Sequence, residues 1–362
     1  MSTQPPKVLL VTPDYPPARG GIQYLLHGLV RHATRVRFRV VTLGDGAVAD
    51  SGAEVRVRRV ASRGPRAAVL ARLSRAAVAE ARAWSPDVVL SGHIVTAPAA
   101  RMCGVPFVQY LYATEMAARP LVAAFAVRHA AATIVLGKHG HSLALAVGAD
   151  EARIHDIPPG IDLPAPTATT PRDRAASIVN VARLEDRYKG FEVLVRALPL
   201  IRSRVPDATL TLIGDGHLRS SLEALARANG SADGLICAGR VSDARRDELL
   251  AAATVFAMPS RLAGGSGGEG FGIVYLEAGA HGTPVVAGNV GGARDAVVDE
   301  QTGVLVAPED HLGVAEAISD LLLDRERATR LGEGGRAWAE RFEWPNIVSK
   351  VEDVLLAARA VA

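Results

Sequence analysis

The sequence predicts an α/β protein made of two doubly wound parallel sheets, and three observations carry that prediction. Short β-branched runs alternate with Ala- and Leu-rich stretches along most of the chain. The alternation halts once, in a Pro- and Thr-rich segment, and 362 residues exceed the reach of one ordinary hydrophobic core. Two domains of about 150 to 180 residues satisfy that length and imply a cleft between them.

In the first half, Lys7 to Thr12, Val36 to Leu43, Val55 to Val60, Asp87 to Ser91, Val105 to Tyr110 and Thr133 to Leu136 read as strands. They are short and largely apolar, as strands covered by helices on both faces are. The pattern stops around Pro158 to Arg174, which holds Pro158, Pro159, Pro164, Pro166 and Pro171. Proline fixes φ and removes a donor, which suits a linker. The alternation resumes with Ser177 to Val181, Ala208 to Ile213, Leu235 to Ala238, Thr254 to Met258, Thr283 to Ala287 and Val304 to Val306. The chain therefore divides into a first domain over 1–162, a linker over 163–174, a second domain over 175–343 and a last helix over 344–362. In that helix Ile347, Val351, Val354 and Leu355 share one face. No fixed-period repeat is visible, which excludes a solenoid.

Apolar residues make up 49% of the chain and charged ones 22%, the balance of a folded protein rather than a disordered one. The formal charge of +3 gives no reason to expect a nucleic-acid partner. Only Lys7, Lys138, Lys189 and Lys350 among the 41 basic residues are lysines, so the position of each lysine is informative. Cys103 and Cys237 lie far apart without metal-ligand spacing, which points to neither a disulfide framework nor a zinc site. No cationic-then-apolar leader precedes Lys7 and no apolar run reaches about 18 residues, so a cytoplasmic setting is expected.

In open parallel sheets, ligands bind beyond the carboxyl ends of the strands, where the next helix opens. After the first strand comes Pro16-Pro17-Ala18-Arg19-Gly20-Gly21-Ile22. Its paired glycines ahead of a helix N-terminus suit a phosphate, or equally a tight strand-to-helix turn with no ligand. It lacks the third glycine of the dinucleotide fingerprint, which argues against a nicotinamide-dependent oxidoreductase. Arg183 ends a strand and Lys189-Gly190 follows six residues later; together they can neutralise a diphosphate, or form a solvated surface.

The segment Gly264-Gly265-Ser266-Gly267-Gly268-Glu269-Gly270-Phe271-Gly272 leads into a helix containing Glu277. Glycines around an acid suit a loop that wraps a ligand. If both glutamates are helical, their spacing puts them on one face about 12 Å apart, the reach between the two ends of a nucleotide sugar. One carboxylate then accepts from sugar hydroxyls and the other from ribose, with the amides of Gly270, Phe271 and Gly272 toward the phosphate. The ligand-free alternative has Glu269 capping the helix and Glu277 on the surface.

The pieces Gly20-Gly21-Ile22, Arg183 with Lys189-Gly190, Ile213-Gly214-Asp215-Gly216, Ala238-Gly239-Arg240-Val241 and Glu269-x7-Glu277 occur in the order and spacing of a known family. Over nearly its whole length the chain resembles family 4 retaining glycosyltransferases of the GT-B fold, and is similar to the bacterial phosphatidylinositol mannosyltransferases. The resemblance implies two Rossmann-like domains and a C-terminal helix crossing back to the first. It implies transfer of a hexose-type sugar from GDP-mannose or a UDP-sugar to a hydroxyl acceptor, with retention. Arg183 and Lys189 would bind the diphosphate, Glu269 would position the sugar, Glu277 would hold the ribose, and Gly239, Arg240 and Val241 would line the base pocket. Gly20 and Gly21 would lie near the diphosphate and the acceptor.

In many relatives a His follows the strand ending near Tyr110, whereas here the sequence is Tyr110-Leu111-Tyr112-Ala113-Thr114-Glu115. Tyr112, Glu115 and His93 are the acceptor-side candidates. No Asp-x-Asp occurs, so metal-independent transfer without a cofactor is expected. The alternatives are a nucleotide-sugar epimerase, a glycan phosphorylase requiring a pyridoxal-phosphate lysine, and a catalytically weak subunit that binds nucleotide sugar. From Glu54 to Arg82 there are eight arginines against two glutamates. Arg66, Arg72, Arg75 and Arg82 there define a helix face suited to peripheral contact with an anionic membrane, or simply to water.

Overall fold

Lys7–Val11 (β1) presents a Val-Leu-Leu-Val run that is wholly inaccessible, as expected of a central strand flanked by helices. The computed structural model describes residues 4–18, 20–44, 55–164, 176–262, 264 and 268–360. After β1 come α1 (Gly21–His32), β2 (Arg37–Leu43), β3 (Arg56–Val60), α2 (Arg66–Trp84), β4 (Val88–Ser91), α3 (Ala97–Met102) and β5 (Phe107–Tyr110). Then follow α4 (Ala113–Ala118), α5 (Pro120–His129), β6 (Ala132–Val135), α6 (Lys138–Ala146) and β7 (Ile154–Asp156). These strands form one parallel sheet in the order β3-β2-β1-β4-β5-β6-β7. From β1 the chain winds outward to β3, then returns to β4 and winds the other way. The order therefore reverses between β1 and β4, and their carboxyl ends form the switch point. The edge strand β7 was not expected, because three residues without a fully buried member leave no apolar run to read.

The second sheet is built the same way. It uses β8 (Ser177–Val181), α7 (Phe191–Arg204), β9 (Thr209–Ile213), α8 (Arg219–Ala228), β10 (Leu235–Gly239), α9 (Asp243–Ala252) and β11 (Val255–Met258). It continues with α10 (Ile273–Ala280), β12 (Val285–Gly288), α11 (Ala293–Ala296), β13 (Gly303–Val306), α12 (His311–Leu323) and α13 (Arg325–Ala339). The order β10-β9-β8-β11-β12-β13 puts its switch point between β8 and β11. Leu194, Leu198 and Ile201 of α7 pack with Ile318 of α12 on the Ile178, Leu210 and Leu212 side chains of the sheet.

The chain divides into two compact units, Met1–Gly160 with Glu343–Ala362, and Ile161–Phe342. Of the expected linker over 163–174, residues from 165 onward lie outside the described residues. The last helix, α14 (Trp344–Arg359), packs within the first unit. Its Trp344 stacks on His32 with ring centroids 5.6 Å apart and fills a socket floored by Gly28 and Gly160, where any Cβ would overlap the indole. Buried Glu352 accepts from the amides of Thr34 (2.9 Å) and Arg35 (2.6 Å) just after α1. A glycine in the middle of α1 costs about 1 kcal/mol of helix propensity; here it makes room for the largest fully buried side chain of the chain's described residues. Among the described residues no helix is long and apolar enough to cross a membrane.

Candidate active site

The switch point of the second unit gathers most of the residues singled out in its sequence. Arg183 lies just beyond β8. The glycine turn after β9 sits directly on that segment: Gly214 takes φ 134°, and a Cβ there would overlap the Ala182 carbonyl. Leu184 N–H donates to Asp215 O at 3.0 Å. The β10 turn joins the same surface, since Gly214 N–H donates to Gly239 O at 2.8 Å, with Gly239 itself at φ 68°. Arg240 is exposed and Val241 half-buried.

Lys189 closes a 3₁₀ turn, Arg187–Lys189, that ends at Gly190 with φ 80°. A Cβ at 190 would overlap the Pro259 carbonyl, and Arg261 N–H donates to Tyr188 O at 2.8 Å. The loop after β8 is thereby pinned to the loop after β11, across the switch point. Lys189 Nζ donates to Glu269 Oε2, and the two side chains are only 16% and 15% exposed. Burial opposes the ammonium charge, but Glu269, with help from Tyr188 and Asp186, holds the Lys189 pKa above its ordinary value.

Glu269 is fixed by its backbone. Its carbonyl accepts from Gly292 N–H at 3.0 Å, and a Cβ at 292 would overlap Gly270 O. Phe271 is buried against Phe342, with ring centroids 5.8 Å apart. Gly272, at φ 93°, then turns the chain into α10. This corrects the one-face spacing expected for the two glutamates. The left-handed Gly272 starts the helix at Ile273, so Glu269 stands in the loop and only Glu277 is helical. Nor does Glu269 cap the helix, because Gly272 is the N-cap and no side chain bonds there.

Glu277 is not a surface residue; its side chain is 17% exposed and faces Arg246 Nη1 of α9 at 3.8 Å. Burial pushes its pKa up and Arg246 pulls it down, while Asp247, Asp243 and Asp162 add to the rise. Sequence reasoning passed over Arg246, although an Arg-Arg pair opening the helix just after the Gly239–Val241 turn was the available signal. Arg183 remains apart from the Lys189–Glu269 pair. It is 62% exposed and faces Glu185 at 3.3 Å and Asp186 at 3.5 Å.

The first unit has a cluster at its own switch point. Gly21 opens α1, and Gly20 O accepts from Tyr24 N–H at 3.0 Å. Gly20 is in extended backbone, and a Cβ there would meet only the end of the Gln23 side chain. The turn therefore does not demand glycine as strictly as Gly190 does. Gln23 in turn donates to Asp14 Oδ1 at 2.8 Å. His93, just beyond β4, accepts from Val95 N–H at Nδ1 (3.2 Å), which leaves Nε2 to carry the proton of the neutral ring. That Nε2 lies 2.5 Å from Glu115 Oε1 and 4.0 Å from Asp14 Oδ2. Glu115 Oε2 accepts from Ile94 N–H at 3.3 Å.

Burial raises the pKa of both carboxyls and the imidazole opposes the rise in each. Tyr112 is 5% exposed and stacks on Tyr110, with centroids 6.0 Å apart. Its hydroxyl has no hydrogen-bond partner among the described residues. Burial, then Glu115, Tyr110 and Asp14, push its pKa well up. His93, Tyr112 and Glu115 are thus brought together, and Asp14, three residues beyond β1, joins the group through its approach to His93. On α2, Arg66, Arg75 and Arg82 are exposed. Arg72 instead turns back to the carbonyls of Ala61, at 3.1 Å, and Arg63.

The family model "Glycosyl transferases group 1" matches residues 167–338. The chain is 34% identical, over 96% of its length and 98% of the relative's, to the GDP-mannose-dependent alpha-(1-6)-phosphatidylinositol monomannoside mannosyltransferase of Mycobacterium tuberculosis. Among solved structures, sucrose-phosphate synthase of Thermosynechococcus elongatus matches with a TM-score of 0.85 at 23% identity, covering 99% of this chain and 100% of that one. Anabaena HepE in complex with UDP and glucose matches with a TM-score of 0.81 at 21% identity, covering 97% of this chain and 99% of that one. Neither the epimerase nor the catalytically weak subunit gains support from these likenesses. Identity sustained from end to end, on two doubly wound units whose glycine turns and charged side chains meet at the strand ends, is decisive: the chain belongs to the group 1 glycosyltransferases, of GT-B fold, which transfer a sugar from a nucleotide carrier to an acceptor.

Proposed function

We propose that the chain is a retaining, metal-independent mannosyl- or hexosyltransferase that uses GDP-mannose and a hydroxyl-bearing acceptor. The contact between Lys189 and Glu269 across the β8/β11 switch point carries the reading, because it puts one cation and one carboxylate, both poorly solvated, beside a ring of glycine turns. The donor choice rests on the full-length likeness to a mannosyltransferase whose name specifies GDP-mannose.

In the reaction, Lys189 and Arg183 face the diphosphate and stabilise the charge that grows on it as the glycosidic C–O bond breaks. Glu269 accepts from hydroxyls of the transferred sugar, and Glu277 accepts from the ribose. Gly239, Arg240 and Val241 line the base, while the amides of Gly270, Phe271 and Gly272 serve the phosphates. The acceptor oxygen attacks the anomeric carbon on the face the phosphate leaves, and its proton passes to the departing phosphate oxygen. The products are a glycoside of retained configuration and a nucleoside diphosphate. No divalent cation is called on, since arginine and lysine supply the positive charge and the sequence has no Asp-x-Asp to hold one.

A thermal-shift screen of GDP- and UDP-sugars tests the donor, because a ligand that binds only the folded state raises Tm by mass action. GDP-mannose should give the largest shift, and transfer with it should survive chelation by EDTA. A protein stabilised by no nucleotide sugar would overturn the proposal. The exposed Arg66, Arg75 and Arg82 of α2 also support peripheral contact with an anionic membrane. Co-sedimentation with phosphatidylglycerol vesicles at low salt should retain the protein, and its remaining in the supernatant would remove that contact.

A further inference from the structure

Lys189 and Glu269 meet across two loops, and the longer of these, between β11 and α10, serves both residues. Its first residues hold the Lys189 turn, since the Pro259 carbonyl lies where a Cβ at 190 would fall and Arg261 N–H donates to Tyr188 O at 2.8 Å. Its last residues carry Glu269 and the left-handed Gly272. One side chain of α10, Tyr275, joins those two ends. Its ring is 2% exposed and packs edge-on against Phe256, with centroids 5.9 Å apart. The same ring covers the Gly272 turn so closely that a Cβ at 272 would overlap it, and that Cβ would stand 3.3 Å from Glu269 Cγ. The hydroxyl donates to Met258 O, the last carbonyl of β11, at 2.8 Å, and Ser260 Oγ lies 3.2 Å away. A phenol has one proton, so with that proton on Met258 the serine hydroxyl donates the second bond. Burial, then the charge of Glu269, push the Tyr275 pKa well up, which keeps the phenol protonated near neutral pH. Phenylalanine would fill the same space without the two bonds.

We infer that Tyr275 is a positioning residue for the transfer reaction: its hydroxyl ties the Glu269 end of the loop to the end that holds Lys189, and so sets the placement of the two groups against each other. Buried as it is, it reaches neither substrate and acts through the pair. The inference rests on the roles proposed above for Lys189 and Glu269. In that reading the base and the ribose are held elsewhere, by Gly239 to Val241 and by Glu277. Loosening the pair should therefore spare donor binding and slow the chemical step.

Steady-state kinetics of Tyr275→Phe, in the wild-type and in the Lys189→Ala background, test it, with turnover of GDP-mannose followed as GDP release. In the wild-type background the substitution should lower kcat about 10- to 100-fold, the effect of a small displacement at a reacting centre. Donor KM should change less than about threefold. In the Lys189→Ala background the same substitution should change kcat less than about threefold, since residues that act through one another are not additive. Thr283→Val removes another buried hydroxyl of the second unit, bonded to Leu250 O at 2.7 Å. It should lower Tm comparably while leaving kcat and KM within about twofold. If Tyr275→Phe does not fold, Ser260→Ala, which deletes one bond and keeps the phenol, takes its place with a kcat loss of about three- to tenfold. The inference is overturned if kcat of the folded variant is unchanged, if KM takes the loss instead, if the loss is undiminished in the Lys189→Ala background, or if Thr283→Val slows turnover as much. A Lys189→Ala enzyme as active as the wild type would instead strike the proposed role of Lys189, so the two failures are separable.

Discussion

The two switch points occupy the same place in the same kind of sheet, yet they are chemically opposite. At β8 and β11 a lysine meets a glutamate, so their charges cancel, with an arginine exposed nearby. At β1 and β4 two carboxylates crowd one imidazole above a buried phenol. The backbones also differ. In the second unit the glycines are forced, by left-handed φ angles and by carbonyls that leave no space for a Cβ, whereas in the first unit Gly20 is not. The doubly wound sheet therefore decides where a ligand sits, and the loop residues decide which charge it carries.

The largest expected effect comes from removing the cation of the neutral pair. Lys189→Ala should lower kcat/KM by about 10²- to 10³-fold, the usual effect of losing one preorganised donor to a charge that develops in the transition state. Steady-state kinetics with GDP-mannose measures it, and a loss under tenfold would break the assignment of the cation to the diphosphate.

Next comes the contrast between glycines. Gly190→Ala should cost about 2 to 4 kcal/mol, combining left-handed strain with overlap on Pro259, and should lower activity as Lys189 is displaced. Gly20→Ala should change stability by less than about 1 kcal/mol. Chemical denaturation of both variants tests the pair, and equal losses would remove the distinction.

The smallest effect concerns Glu277. Burial raises its pKa and Arg246 restrains the rise, so Arg246→Met should let it rise further. On the proposed role of Glu277, a protonated carboxyl is a poorer acceptor for ribose, so donor affinity should be lost as pH falls, and in the variant that loss should begin at higher pH. Donor KM should increase about three- to tenfold at pH 6 and less at pH 8. Coincident pH profiles would show that Arg246 does not act through Glu277.

Much of this fold was legible in the sequence because buried parallel strands leave continuous apolar runs. Among the described residues, twelve of the thirteen strands begin within two residues of the expected start or on it, while β7 is too short and too polar to register. Of the site, the residues beside glycines were legible, since Gly190, Gly214 and Gly272 mark turns that no other residue type makes easily. Partnerships were not. The link between Lys189 and Glu269 spans 80 positions, and Arg246 meets Glu277 only because α9 and α10 pack together. Asp14 was missed although it follows a strand end, because the glycines downstream drew the reading. The helical spacing of Glu269 failed because one left-handed residue resets a periodicity that otherwise looks continuous.

The socket around Trp344 has a consequence for how the protein is made. Residues 161–342 form a complete unit inserted into the first, and the last piece of that first unit is α14, which seats its indole between Gly28 and Gly160. Domains ordinarily fold in the order they leave the ribosome. Here the unit that starts first must finish last, waiting with Gly28 and Gly160 uncovered until Trp344 is synthesised. A ribosome-stalled chain ending before Trp344 should accordingly hold a protease-resistant second unit while the first is still cleaved.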